Sequence, residues 1–190
     1  EEMIKLNNLK IGNSERLTIF GGVNVIESKE LVFEVAEEFI KNSSKLKFNF
    51  VFKASFDKAN RSSLDSYRGP GLEKGLNILS ELKQKYNLPI LTDIHEPHQA
   101  KPVSEVCDII QIPAFLCRQT DLVVEAAKTG KIINLKKPQF MSAKEIFHVV
   151  KKCESVGNKN IILCERGNIF GYNNLVVDIL NFQIMKESTK

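Results

Sequence analysis

The stretch Phe48-Asn49-Phe50-Val51-Phe52-Lys53-Ala54-Ser55-Phe56-Asp57-Lys58-Ala59-Asn60-Arg61-Ser62-Ser63 decides how this chain is read. Its opening, from Phe48 to Phe52, is apolar almost throughout, the pattern of a strand buried on both faces. At the exit of that strand come Lys53, Lys58, Asn60, Arg61, Ser62 and Ser63. Ammonium, guanidinium, amide and hydroxyl groups are the ones that bind phosphate and carboxylate oxygens. The competing reading is a solvated basic loop, and the rest of the chain decides between the two.

The same pattern recurs along the sequence. Short apolar runs predict strands over residues 17–26, 48–55, 90–95, 109–114, 132–136 and 161–165. Amphipathic segments between them predict helices over 30–43, 71–86, 99–106, 120–129, 143–156 and 175–186. In the first helix Leu31, Val35 and Phe39 form the apolar stripe, with Ser28 as N-cap; in the second the stripe is Leu72, Leu76, Leu79 and Leu82. Gly130 and Gly157 stand where helix C-caps are expected. Residues 3–14 read as a small hairpin capping one end of the sheet.

Repeated βα units imply a parallel sheet, either a (β/α)8 TIM barrel or an open doubly wound sheet. No GxGxxG or GxxxxGK[ST] run is present, which argues against a nucleotide-binding open sheet. Asn24, Lys53, His95, Gln111, Lys136 and Arg166 all fall near the C-terminal ends of successive strands, the face where barrels carry their chemistry. A barrel has eight strands in about 250 residues. Six are readable here, so residues 1–190 are expected to form one barrel domain that lacks the last two βα units.

Composition narrows the partners. A 43% hydrophobic and 26% charged chain is ordinary for a folded domain. Its net charge of +4 suits anionic small molecules and is too weak and dispersed for nucleic acid. Cys107, Cys117, Cys153 and Cys164 show no CxxC spacing and lie in or beside apolar runs. They read as reduced core residues of a cytoplasmic protein. The polar N-terminus predicts no secretory signal, and no apolar run approaches the roughly 20 residues of a membrane span.

The chain resembles the 3-deoxy-D-manno-octulosonate 8-phosphate synthases, also called 2-dehydro-3-deoxyphosphooctonate aldolases. The matching motifs are Gly21-Gly-Val-Asn24-Val-Ile-Glu27-Ser28, the stretch from Lys53 to Ser63, Tyr67-Arg-Gly-Pro-Gly-Leu72 and Thr92-Asp-Ile-His95-Glu96. They continue with residues 111–121, Asn134-Leu-Lys136-Lys-Pro-Gln-Phe140, Cys164-Glu-Arg166-Gly and residues 170–178. The resemblance implies a (β/α)8 barrel, usually a tetramer, that condenses phosphoenolpyruvate with arabinose 5-phosphate in lipopolysaccharide synthesis. It also implies two further strands with D-x-T-H-like and E-x-H-like motifs, absent from these 190 residues.

By resemblance, Lys53, Lys58, Lys136 and Arg166 hold phosphoenolpyruvate, and Asn60, Arg61 and Ser62 hold the sugar phosphate. The turn around Ala114 and Phe115 offers an amide to the phosphoenolpyruvate phosphate, and Arg118 belongs to a segment near subunit contacts. Asp93 and Gln111 are polar neighbours of the site, and His95, paired to Asp93, reads either as another such neighbour or as a satisfied structural histidine. His98 and His148 read as surface or helix-face residues. Metal-dependent members carry Cys where this chain has Asn24. An amide oxygen replaces a thiolate poorly on zinc or iron(II), so no metal and no other cofactor is expected. Either Asn24 or the phosphoenolpyruvate phosphate then manages the attacking water. Two other readings stand beside this one: an inactive remnant, and the related heptulosonate 7-phosphate synthase. The latter typically shows K-P-R-T-S where this chain has Lys58-Ala-Asn-Arg-Ser-Ser63.

Overall fold

The computed structural model describes residues 3–189. A hairpin, β1 (Ile4–Leu6) and β2 (Leu9–Ile11), precedes an alternation of strands and helices. The alternation runs β3 (Thr18–Gly22), α1 (Lys29–Leu46), β4 (Asn49–Lys53), α2 (Leu72–Tyr86), β5 (Ile90–Asp93), α3 (Ala100–Val106) and β6 (Ile109–Ile112). It continues with α4 (Thr120–Lys128), β7 (Ile132–Lys136), α5 (Ile146–Glu154) and β8 (Ile161–Cys164). A second hairpin, β9 (Asn168–Ile169) and β10 (Leu175–Val176), leads into α6 (Leu180–Lys186). Strands β3 to β8 form one six-stranded sheet in chain order, parallel throughout. This is the curled α/β sheet of a partial (β/α)8 barrel, as the repeated pattern predicts.

Alternation along the strands builds two cores. Phe50, Phe52, Ile90, Ile110, Ile112, Ile133 and Leu135 pack against the helices with Leu79, Leu82, Val103, Val123 and Val149. The intervening residues Val51, Leu91, Ile109 and Ile132 face the other way and meet Ile4 and Leu6 of the first hairpin. The hairpin therefore closes one end of the sheet, as expected. Two residues further along the same inner rows come Lys53, Asp93, Gln111 and Asn134. Strand parity alone thus turns an apolar floor into a polar upper face.

Helix ends follow their local signals. Ser28 Oγ accepts the Leu31 N–H at 3.1 Å at the start of α1. Gly130 and Gly157 take φ 73° and 86° after α4 and α5. The buried stripe of α1 is centred on Val32 and Ala36, with Val35 and Phe39 only half-buried beside it; the expected stripe is off by one residue. The expected strand 17–26 stops at Gly22, and the expected helix 143–156 is reduced to Ile146–Glu154 behind a turn in which Glu145 N–H donates to the Ser142 carbonyl. The expected helix 175–186 begins only at Leu180. Leu175 and Val176 instead pair with Ile169 and Asn168, and Asp178 Oδ1 accepts the Leu180 N–H at 3.0 Å. The Val176–Val177 pair is β-branched and favours strand, which moves the helix start past Asp178.

Candidate active site

A cavity of about 240 Å³ opens at the C-terminal ends of the strands. Its walls include Lys58 and Asn60 from the loop after β4, Asp93 and His95 from β5 and its exit, and Gln111 of β6. Ala114 and Phe115 follow from the turn after β6, Lys136 from the end of β7, and Arg166 from just beyond β8. Five consecutive strands thus deliver side chains to one space. Parallel pairing makes this possible: Asp93 lies in register with Gln111, Gln111 with Asn134, and Lys136 with Cys164.

The cavity is cationic, and the proximity of its charges is written in their protonation. Burial pushes the Lys53 ammonium below its ordinary range; Asp93 opposes that shift and Lys58 and Lys136 add to it. Burial also lowers Lys58, again opposed by Asp93 and reinforced by Lys136 and Arg61. Lys53 does not line the cavity but shares its field. Burial pushes the Asp93 carboxyl up, yet hydrogen bonds from His95 and Ser55, and the charges of His95 and Lys58, outweigh it and leave the group below the usual carboxylate range. His95 Nε2 donates to Asp93 Oδ2 at 3.2 Å, and Ser55 Oγ donates to Asp93 Oδ1.

Neutral polar groups complete the lining. Asn134 Nδ2 donates to Gln111 Oε1 at 3.0 Å. His95 Nδ1, Asn134 Oδ1 and Gln139 Oε1 are buried and make no hydrogen bond with the described residues. Gln139 lines the cavity and was missed in the sequence, where nothing in its spacing marks it. Ser55 and Asn134 were also missed; their even offset from Lys53 and Lys136 was the available signal.

Other expected residues stand apart. Asn24 is exposed in the segment after β3, an edge strand of the sheet, and does not line the cavity. Arg61 and Ser62 are exposed on the long loop after β4. There Arg61 Nε donates to the Tyr67 carbonyl at 3.2 Å, although its charge still reaches Lys58. Arg118 is exposed and borders two other grooves, one with Glu96 and Asp121, the other with Phe140 and His148. His98 and His148 are exposed, as expected. Burial pushes the Cys107 and Cys117 thiols up to about 12 and Cys153 to about 11, so all three are protonated core residues. Cys164 differs. It is half-buried and within the field of Lys136, Lys53 and Arg166, though burial still raises it.

A family model described as the DAHP synthetase I family matches residues 2–190. The chain belongs to the DAHP synthetase I family. Within it, the chain is 57% identical over 187 residues to a 2-dehydro-3-deoxyphosphooctonate aldolase of Pseudomonas putida (strain GB-1), covering 98% of this chain and 66% of that protein. It is 59% identical over 184 residues to the protein of the same name from Marinobacter nauticus, covering 97% and 66%. The chain therefore spans 66% of the length of these curated relatives. Among the described residues of this family member, no group of three or more His, Cys, Asp or Glu is arranged to hold a metal ion, and no helix is long and apolar enough to cross a membrane.

Proposed function

We propose that the cavity binds phosphoenolpyruvate and that the protein condenses it with arabinose 5-phosphate and water, giving 3-deoxy-D-manno-octulosonate 8-phosphate and inorganic phosphate. The observation that carries this reading is the meeting of Lys58, Lys136 and Arg166, from three separate βα units, around one small space. With Lys53 they make four cations against the single carboxylate of Asp93, a match for a small ligand of about three negative charges. The names of the relatives support the same chemistry.

In this reading Lys53, Lys58, Lys136 and Arg166 fix the phosphate and carboxylate, with an amide of the turn at Ala114 and Phe115. The enol C3 attacks the sugar aldehyde carbon, water adds at C2, and the C–O bond to phosphate breaks. The sugar aldehyde oxygen gains the electron pair of its C=O bond and takes the proton that the added water gives up, and the breaking C–O bond leaves its electron pair on phosphate. The fixed cations hold the carboxylate, which is unchanged, and the phosphate as it departs. Asn60, Arg61 and Ser62 take the sugar phosphate, the last two by closure of their exposed loop. Asp93, His95 and Gln111 orient the reacting groups, and Asn24 or the substrate phosphate handles the water. Asn24 in place of a thiolate makes the reaction metal-independent. The assembly is a tetramer in the cytoplasm, and Arg118 lies near its subunit contacts.

The test is release of inorganic phosphate from phosphoenolpyruvate by the purified protein, with arabinose 5-phosphate or erythrose 4-phosphate as acceptor. Turnover with the five-carbon sugar, unaffected by chelator, is expected. Turnover with erythrose 4-phosphate alone would assign the heptulosonate reaction. Restoration of lost activity by a divalent cation would overturn metal independence.

A further inference from the structure

Next to Lys136 lies a second lysine that no substrate reaches. Lys137 is fully buried. Its Nζ donates to the carbonyls of Pro138 at 3.0 Å, Met141 at 3.0 Å and Gly167 at 3.1 Å, with Asn168 Oδ1 at 3.4 Å. An ammonium has three protons, and these carbonyls occupy them. The countercharge is the equally buried Glu165, whose Oε1 stands 3.5 Å from Nζ. Glu165 is held in turn: Oε1 accepts the Gly167 N–H at 2.6 Å and Oε2 accepts Asn181 Nδ2 at 2.8 Å.

Such a pair is a poor way to gain stability, because desolvation consumes most of the Coulomb attraction and apolar side chains of equal volume do as well. Its placement suggests another role. Lys137 follows Lys136, and Glu165 precedes Arg166. The backbone joins the same two segments, with Lys137 N–H donating to the Cys164 carbonyl at 2.8 Å and Ile169 N–H to the Gln139 carbonyl at 3.2 Å. Lys136, Gln139 and Arg166 all line the cavity, so every cavity group from β7 and β8 sits on this clamp.

We propose that the buried Lys137–Glu165 pair is a positioning device that locks the loops after β7 and β8 together, so that Lys136, Gln139 and Arg166 meet the ligand as one rigid wall. This rests on the phosphoenolpyruvate reading of the cavity. Two segments each free to move would place two cations independently and lose much of their joint grip on one anion.

Two measurements test it. Hydrogen exchange over residues 165–169 reads the clamp without any ligand, and faster exchange at Gly167 and Asn168 is expected in Lys137→Met and Glu165→Gln. Phosphoenolpyruvate binding by calorimetry, in a cycle of wild type, Lys137→Met, Arg166→Ala and the double variant, reads the consequence. Lys137→Met is expected to weaken binding at least tenfold, but less than threefold when Arg166 is already absent. Lys137→Arg is expected to recover most of the affinity. Unchanged exchange in a folded variant, or the full tenfold loss repeated in the Arg166→Ala background, would overturn the proposal. If Lys137→Met does not fold, the same cycle with Glu165→Gln decides. Wild type that fails to bind phosphoenolpyruvate refutes the substrate reading, and the exchange rates still decide the clamp.

Discussion

Replacing Lys58 by Met separates what the cavity does for its ligand from what it costs the fold. Met keeps the unbranched apolar stem and removes only the charge. In the free protein that charge is disfavoured: burial and the neighbouring Lys136 and Arg61 hold the ammonium below its ordinary range, with Asp93 opposing. Removing it therefore stabilises the unliganded fold, and for a chain of this size each kcal/mol raises Tm by about 2–4 °C. Binding moves the other way. One charge-assisted hydrogen bond is worth about 1.5–3 kcal/mol. At one decade per 1.4 kcal/mol, phosphoenolpyruvate affinity falls about 10- to 140-fold. The pH dependence carries the same signature. A lysine with a depressed folded pKa binds fewer protons in the native state than when unfolded. Its penalty therefore lifts as pH rises through that depressed value toward the unfolded value of about 10.4. Wild type gains stability over that window, and Lys58→Met gains less. Melting scans between neutral and alkaline pH, with titration calorimetry at neutral pH, measure both halves. A variant that melts lower than wild type and binds phosphoenolpyruvate equally well would refute the reasoning.

Three further outcomes are expected. Gly22→Ala places a Cβ 2.0 Å from the Lys53 carbonyl oxygen at a φ of +157°; overpacking at the β3–β4 pair is expected to cost at least about 1–3 kcal/mol in urea unfolding. Ser28→Ala deletes the α1 cap and should cost about 1 kcal/mol without altering ligand affinity. Asp93→Asn removes a carboxylate held below its usual range, whose stabilisation is complete above the unfolded value of about 3.9 and lost as pH falls through the folded one. The unfolding free energy from denaturant titration should drop by about 1.5–3 kcal/mol at pH 7 and depend less on pH below about pH 4.

The parallel sheet was legible because its strands are buried on both faces and so read as apolar runs, from Phe50 to Phe52 and from Ile109 to Ile112. The polar ends of those runs were legible too, since Lys136 and Arg166 interrupt the pattern where a barrel places its chemistry. What stayed hidden depends on contacts distant in sequence. Lys136 reads as a site residue, but nothing in the sequence sets Lys137 apart, and only the folded chain shows it buried and enclosed by three carbonyls. Gln139 enters the cavity through the geometry of a turn, which no periodicity records. The short β9–β10 pairing overrode the helical pattern from residue 175, because tertiary register outweighs weak local preference. Asn24, Arg61 and Ser62 are exposed and do not line the cavity, since a segment after the edge strand and a long loop carry them.

The groups around the cavity differ in what holds them. Lys136 closes a strand, whereas Lys58, Asn60 and Arg61 ride on the connection between β4 and α2, residues 54–71. Directed evolution can exploit that division of labour. If the proposed reading holds, a library confined to the tip of this connection would vary the acceptor that Asn60, Arg61 and Ser62 meet while the strand-borne half of the anion grip is inherited unaltered, so new acceptors come within reach by rewriting one loop.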